Sequence, residues 1–170
     1  VLNACVDVIT LREPDSLKEL QSMGVTKPEI LLTADPALTL PAAGADEIDS
    51  VLLRAGIPPH GKYLCFALRN WKGFADKAPL FGQAAKYAYE TYGLTPVFTA
   101  VEKHLDPGAG RLAAAGLDIP HYFLDDAGNA STIIGALSRM RVVVSMRLHA
   151  LIFAAGQGVP LAGVVYDPKV

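Results

Sequence analysis

From residue 61 to the end of the chain, short apolar runs alternate with stretches of helical periodicity. Strands are predicted over 62–68 (KYLCFAL), 95–100, 119–124, 142–144 (VVV) and 161–165, with helices over 79–92, around 111–115, over 131–140 and from near Leu148. Each helix carries its apolar residues at three- and four-residue intervals, as Leu148, Leu151, Ile152 and Ala155 do. Short loops between them and right-handed crossovers leave one architecture, an α/β doubly wound parallel sheet of Rossmann-like form. The VVV run and the strand over 161–165 read as buried on both faces, and Pro120 places the strand over 119–124 nearer an edge.

The part before residue 61 is sparser. A strand over 6–11 ends at Arg12, and Pro14 suits the first turn of a helix capped by Asp15 or Ser16 and stopped by Gly24. A second short strand over 30–33 leads to Asp35-Pro36, and a Pro/Ala/Gly stretch over 41–46 reads as a linker. Ile48, Val51, Leu52 and Ala55 then give one more helix, stopped by Gly56, Pro58 and Pro59.

Half of the 170 residues are hydrophobic, enough for a real core, and the formal charge is only −2. That balance argues against a nucleic-acid binder. No apolar run reaches membrane-spanning length, and the start lacks the layout of a signal peptide. Cys5 and Cys65 both lie in apolar, strand-like runs and read as buried thiols of a reduced, cytoplasmic protein. The chain lacks an initial methionine and stops at Asp167-Pro168-Lys169-Val170 directly after a strand, so a portion of a longer protein is expected.

Three predicted strands end in arginine: Arg12, Arg69 and Arg147. If the strands are parallel, these guanidinium groups can line one cleft, where arginine forms bidentate pairs with carboxylate or phosphate. Taken singly, Arg12 reads as a surface ion-pair former, with Glu13 and Asp15 beside it. Arg147 stands where a strand hands over to a helix, next to the free N–H groups of the first turn, and His149 follows at once. A protonated imidazole there could hold a phosphate or act as general acid. His60, His104 and His121 read as surface or packing residues without metal-ligand spacing, so no metal is assigned. Asp35 and Asp167 precede prolines and read first as turn openers, though either could serve as a base. Trp71 and Phe74 could stack on a sugar or pack a loop. There is no dinucleotide fingerprint, phosphate-binding P-loop or nucleophile elbow.

The stretches ITLREPDSLKELQSMGV, LLTADPAL, the strand ending ALRNW, and above all VVVSMRLHALIFAAGQGVPLAGVVYDPKV resemble the polysaccharide pyruvyl transferase family, in its bacterial cell-wall, CsaB-like type. The resemblance implies a GT-B-like enzyme of two Rossmann-like domains, with residues 1–42 closing the amino-terminal domain and 43–170 forming the carboxyl-terminal one. It implies transfer of a pyruvate ketal from phosphoenolpyruvate, with no further cofactor, to a sugar, here N-acetylmannosamine, of a lipid-linked cell-wall polysaccharide precursor. The pyruvylated polymer would then anchor S-layer proteins. The acceptor would be met at the membrane surface from the cytoplasmic side. The family's donor-binding triplet maps onto Arg147, Leu148 and His149, and a further arginine onto Arg12 or Arg69. Two rivals stay open: a nucleotide-sugar glycosyltransferase of the same architecture, and a non-catalytic anion-binding module.

Overall fold

The computed structural model describes residues 1–166; the Asp167-Pro168-Lys169-Val170 end of the sequence motif lies outside the described residues. The chain divides into two compact units, Val1–Leu38 and Thr39–Val170. The first holds a short helix α1 (Leu2–Cys5), strand β1 (Val8–Leu11), helix α2 (Pro14–Ser22) and strand β2 (Glu29–Leu32), with β1 and β2 parallel and Ile9 opposite Ile30. Pro14 opens α2 at a position whose N–H would have no partner in any case. Cys5, expected as a buried strand thiol, is exposed in α1, because no sheet neighbour covers that face and the strand begins only at Val8.

After a 3-10 turn (Pro36–Thr39), the second unit runs α3 (Ala45–Arg54), β3 (Tyr63–Ala67), α4 (Phe74–Tyr92), β4 (Thr95–Thr99), α5 (Pro107–Ala114), β5 (Tyr122–Leu124), α6 (Ala130–Ser138), β6 (Val142–Ser145), α7 (Leu148–Gly156) and β7 (Leu161–Gly163). All five strands are parallel in the spatial order β5-β4-β3-β6-β7. The chain starts at the central β3, steps outward to β5, then returns to lay β6 on the other side of β3. The strand order therefore reverses between β3 and β6, and a crevice opens at their carboxyl ends.

β3 is buried at all five positions, as a central strand covered on both faces must be. On one face Leu64, Phe66 and Phe98 pack against Phe74, Ala78 and Ala85 of α4 and against Ala109 and Ala113 of α5. Phe66 and Phe98 stack at 5.4 Å, and Phe98 stacks on Phe123 at 5.6 Å. Each such ring contributes roughly 1.5–3 kcal/mol by leaving water. α6 and α7 adjoin one another, and α3 packs on α6.

Three elements differ from expectation. α4 begins five residues earlier than residue 79 and carries Pro79 in its interior. Pro79 forgoes the bond to the Ala75 carbonyl, and the added turn is held by burial of Phe74 and Ala78. β5 shrinks to three residues because Pro120 cannot donate to a ladder, and it is an edge strand. β7, expected to be buried, is the opposite edge: it pairs only with β6, and its three residues are exposed.

Candidate active site

The strand order sets the site. β3 and β6 are neighbours, and each is followed by an arginine: Arg69 after Leu68, Arg147 after Met146. The β6 turn is pinned through the fully buried Ser145. Its Oγ accepts the Arg147 N–H at 2.8 Å and has the Ala67 and Arg147 carbonyls at 3.1 and 3.0 Å, either of which can take its single proton. The Met146 N–H donates to the Ala67 carbonyl at 2.9 Å, locking the two strand ends together.

From there Arg147 turns towards Asp106, the residue before α5. Its Nε donates to Asp106 Oδ1 at 3.0 Å, and Nη2 donates to the same oxygen. The other carboxylate oxygen accepts from the N–H groups of Glu102 (2.8 Å) and Val101 (3.1 Å). The Asp106 side chain is 1% exposed and that of Arg147 16%. Since α5 follows β4, and β3 lies between β4 and β6, the Arg147 side chain passes over the carboxyl end of β3. Arg69 leans the other way. Its Nη1 donates to the Tyr166 hydroxyl at 3.2 Å, beyond β7, and its guanidinium lies 5.1 Å from the Trp71 ring. The two arginines thus cross, each spanning the end of the strand that the other follows.

A guanidinium has five N–H donors. The pair with Asp106 uses the Nε–Nη2 edge, and among the described residues Nη1 has no hydrogen-bond partner. The terminal Nη1–Nη2 fork therefore remains for a bidentate anion, held in one orientation by the buried carboxylate. Arg147 is also the residue that caps α7, and among the described residues no side-chain cap closes the first turn of that helix. Leu148 opens α7 half-buried, and His149 is exposed in its first turn with its ring 6.0 Å from Phe153. Because the Arg147–Asp106 pair is electroneutral, net attraction for an anion comes from the amide end of α7, His149 when protonated and Arg69.

The remaining predicted residues are placed as follows. Arg12 belongs to the first unit and pairs with Asp35 at 2.6 Å, not with its sequence neighbours Glu13 or Asp15. Asp35 also accepts the Ala37 N–H at 2.9 Å, the local turn that an Asp-Pro pair suggests. Arg69 and Arg147 belong to the second unit. Trp71 is 43% exposed and Phe74 is in the core. His121 packs against Phe98 and Phe123, with Nδ1 2.8 Å from the Ile119 carbonyl. His60 and His104 are exposed. Asp167 lies outside the described residues.

Two cavities open along this edge of the sheet. One of about 360 Å³ lies at the ends of β3, β6 and β7, lined by Trp71, Phe74, Phe81, Met146, Val164 and Tyr166 with Lys72 and Lys77. The other, about 290 Å³, lies at the ends of β4 and β5 beside Lys103, His104, Asp125 and Asp126. Three of the charges at the latter are paired: Lys103 with Asp126 at 3.5 Å, and Asp125 with the fork of Arg111. The Gly128 N–H and the Lys103 ammonium hold the Asp126 carboxyl below the usual carboxylate range.

The polysaccharide pyruvyl transferase family model matches residues 1–168. The chain belongs to that family. No curated protein matches it by sequence. Among solved structures it is similar to UDP-GlcNAc 2-epimerase from Neisseria meningitidis bound to UDP-GlcNAc, with TM-score 0.60, 12% identity, and coverage of 91% of this chain and 43% of that one. It is also similar to UDP-N-acetylglucosamine 2-epimerase from Rickettsia bellii, with TM-score 0.51, 10% identity, and coverage of 97% and 44%. At that identity the likeness establishes a GT-B-like, Rossmann-type fold, and this chain spans less than half the length of either structure. Sequence reasoning in this family member missed Asp106 and Ser145. The signal for Asp106 was an Asp-Pro pair opening a helix directly after a strand, a place where a carboxylate can turn inward.

Proposed function

We propose that the intact protein transfers a pyruvate ketal from phosphoenolpyruvate to a sugar, N-acetylmannosamine, of a lipid-linked cell-wall polysaccharide precursor, at the inner face of the membrane. The observation that carries this reading is the meeting, at the end of β6, of the terminal fork of Arg147 with the uncapped first turn of α7 and His149. Phosphoenolpyruvate presents a phosphate and a carboxylate on three carbons, and two cationic forks plus helix amides match that pair of anions. In this reading Arg147, the α7 amides and His149 hold the phosphate, with Arg69 at the carboxylate.

The reaction balances without a cofactor. The enol carbon bearing the phosphate forms bonds to two sugar oxygens, and its bond to the phosphate oxygen breaks. Of the two hydroxyl protons released, one is matched by a proton delivered to the methylene carbon, which becomes methyl, and the other leaves with phosphate. Cations around the departing phosphate lower the barrier by stabilising its developing charge, and an imidazole in reach supplies or relays a proton.

The test is phosphate release from phosphoenolpyruvate by the full-length protein with a lipid-linked disaccharide, alongside His149→Ala and Arg147→Lys. We expect sugar-dependent phosphate release in the parent and a loss of about 100-fold in kcat/KM in each variant. Unchanged rates in both variants would remove this assignment of the site. Absence of ketal from the product would remove the reaction.

A further inference from the structure

The aromatic cavity at the ends of β3, β6 and β7 has a feature that the proposed donor site does not use. Lys72 and Lys77 stand exposed at its lining, and among the described residues neither forms an ion pair. Asp76, in the same first turn of α4, is paired with neither lysine. The Arg69 guanidinium lies over Trp71 and bonds Tyr166, two residues of the lining, so among the described residues Lys72 and Lys77 stand at the apolar hollow with Arg69 beside its wall. The cavity at β4 and β5 differs, because its lysine, Lys103, is paired within the protein to Asp126. Unmatched cations beside an apolar wall call for a ligand with a negative group and a body that packs on aromatic rings.

The wall is suited to such a body. Trp71 and Tyr166 have ring centroids 5.1 Å apart at 59°, forming an open angle and not a closed stack. Faces of this kind take the axial C–H edges of a pyranose, while Tyr166 keeps its polar tip on Arg69. A volume of about 360 Å³ falls within the range of small-ligand sites. Met146 lines this cavity, and the next residue, Arg147, carries the fork described above, so both sites lie at the same edge of the sheet.

We propose that this cavity seats the sugar-phosphate head of the acceptor: a pyranose ring against Trp71 and Tyr166, with the phosphate groups of its glycosyl diphosphate on Lys72 and Lys77. The proposal rests on the pyruvyl-transfer reading and adds to it a place for the second substrate at the same edge of the sheet. It assigns Lys72 and Lys77 to the acceptor and leaves the donor to Arg147 and α7.

Trp71 is the single tryptophan of the 170 residues, so it also reports on the site. The measurement uses the full-length protein and a water-soluble disaccharide containing N-acetylmannosamine, joined through diphosphate to a short alkyl chain. The difference in emission between the parent and Trp71→Phe isolates the signal of Trp71. We expect that signal to titrate with the diphosphate disaccharide, and the double variant Lys72→Ala/Lys77→Ala to weaken binding by about tenfold or more, the size of one lost charge-assisted contact. The disaccharide without diphosphate should bind the parent and the double variant alike. In the phosphate-release assay the double variant should raise KM for the acceptor and leave KM for phosphoenolpyruvate unchanged. Equal affinity of parent and double variant for the diphosphate disaccharide would overturn the proposal. So would a change confined to the phosphoenolpyruvate KM, or an equal response of Trp71 to uridine diphosphate. Binding that behaves as expected without any pyruvyl transfer would uphold the pocket and overturn the reaction.

Discussion

Asp106 and Arg147 stand 41 positions apart in sequence and meet across the end of the central strand, the carboxylate almost wholly buried and the guanidinium nearly so. The pair has two consequences. It orients the Arg147 fork before any ligand arrives, and it makes Arg147 part of the fold as well as of the site.

Removing Arg147 therefore leaves a buried carboxylate with backbone donors but no counter-ion. We expect Arg147→Ala to lower unfolding free energy by about 2–3 kcal/mol, somewhat under the usual cost of breaking a buried pair because the Val101 and Glu102 amides remain. His149→Ala, at an exposed position, should stay within about 0.5 kcal/mol of the parent. Urea unfolding measures both. If Arg147→Ala proves as stable as the parent, the ion pair contributes nothing to the fold. If the expected loss is found, only the His149 variant of the two reads the chemistry without a contribution from stability.

The two cysteines should behave oppositely. Burial pushes the Cys65 thiol up to about 12, with its Sγ donating to Thr99 Oγ1 at 3.3 Å, whereas Cys5 is exposed. The thiolate is the reactive species. Iodoacetamide at neutral pH should label Cys5 alone, and Cys65 only after unfolding, as peptide mass mapping will show. Because the folded value lies above the ordinary 9.0, the stability linked to this thiol is complete below pH 9 and is lost as pH rises from 9 towards 12. The loss approaches about 1.4 kcal/mol per pH unit in that window. Labelling of Cys65 in the native protein would contradict its buried place in β3, beside Thr99 of β4.

At the start of α6, Asn129 accepts the Thr132 N–H and Thr132 Oγ1 accepts the Asn129 N–H, both at 3.0 Å, a reciprocal cap. Asn129→Ala should cost about 1 kcal/mol in urea unfolding. Asn129→Asp retains the acceptor and should cost less. Equal losses would mean that the side-chain oxygen is not what caps the helix.

The alternation of strand and helix was legible because each element carries its own period, and the carboxyl-end position of Arg69 and Arg147 followed from parallel strands alone. What was not legible depends on neighbours. A run such as Leu161–Gly163 has the same apolar text whether a further strand covers it or not, and only the order β3-β6-β7 reveals it as an edge. Cys5 looked like a strand residue until the strand began three positions later. The partner of Arg147 was hidden for the same reason: Asp106 becomes its neighbour only once β3 is inserted between β4 and β6. Arg12 likewise found Asp35, brought near by the parallel pairing of β1 and β2, in place of the acids beside it in sequence.

Close packing of α4 on α5 depends on one missing side chain. A Cβ placed on Gly82 would sit 2.6 Å from the Ala113 carbonyl oxygen, a backbone atom that can move only with its helix. Alanine would add helix propensity worth about 1 kcal/mol, but forcing the two helices apart disturbs the layer that Ala85, Ala109 and Ala113 pack into. We expect the steric cost to win and Gly82→Ala to destabilise by about 1–3 kcal/mol. Gly135 in α6 offers the contrast. Its Cβ would meet Cδ1 and Cγ1 of Ile48, atoms of a side chain and not of a backbone. Gly135→Ala alone should cost less than Gly82→Ala, and pairing it with Ile48→Val, which removes the Cδ1 methyl, should recover part of the loss. Thermal unfolding of the three variants decides the matter: if Gly82→Ala is the milder of the two alanine substitutions, the close approach of α4 to α5 is not rigid.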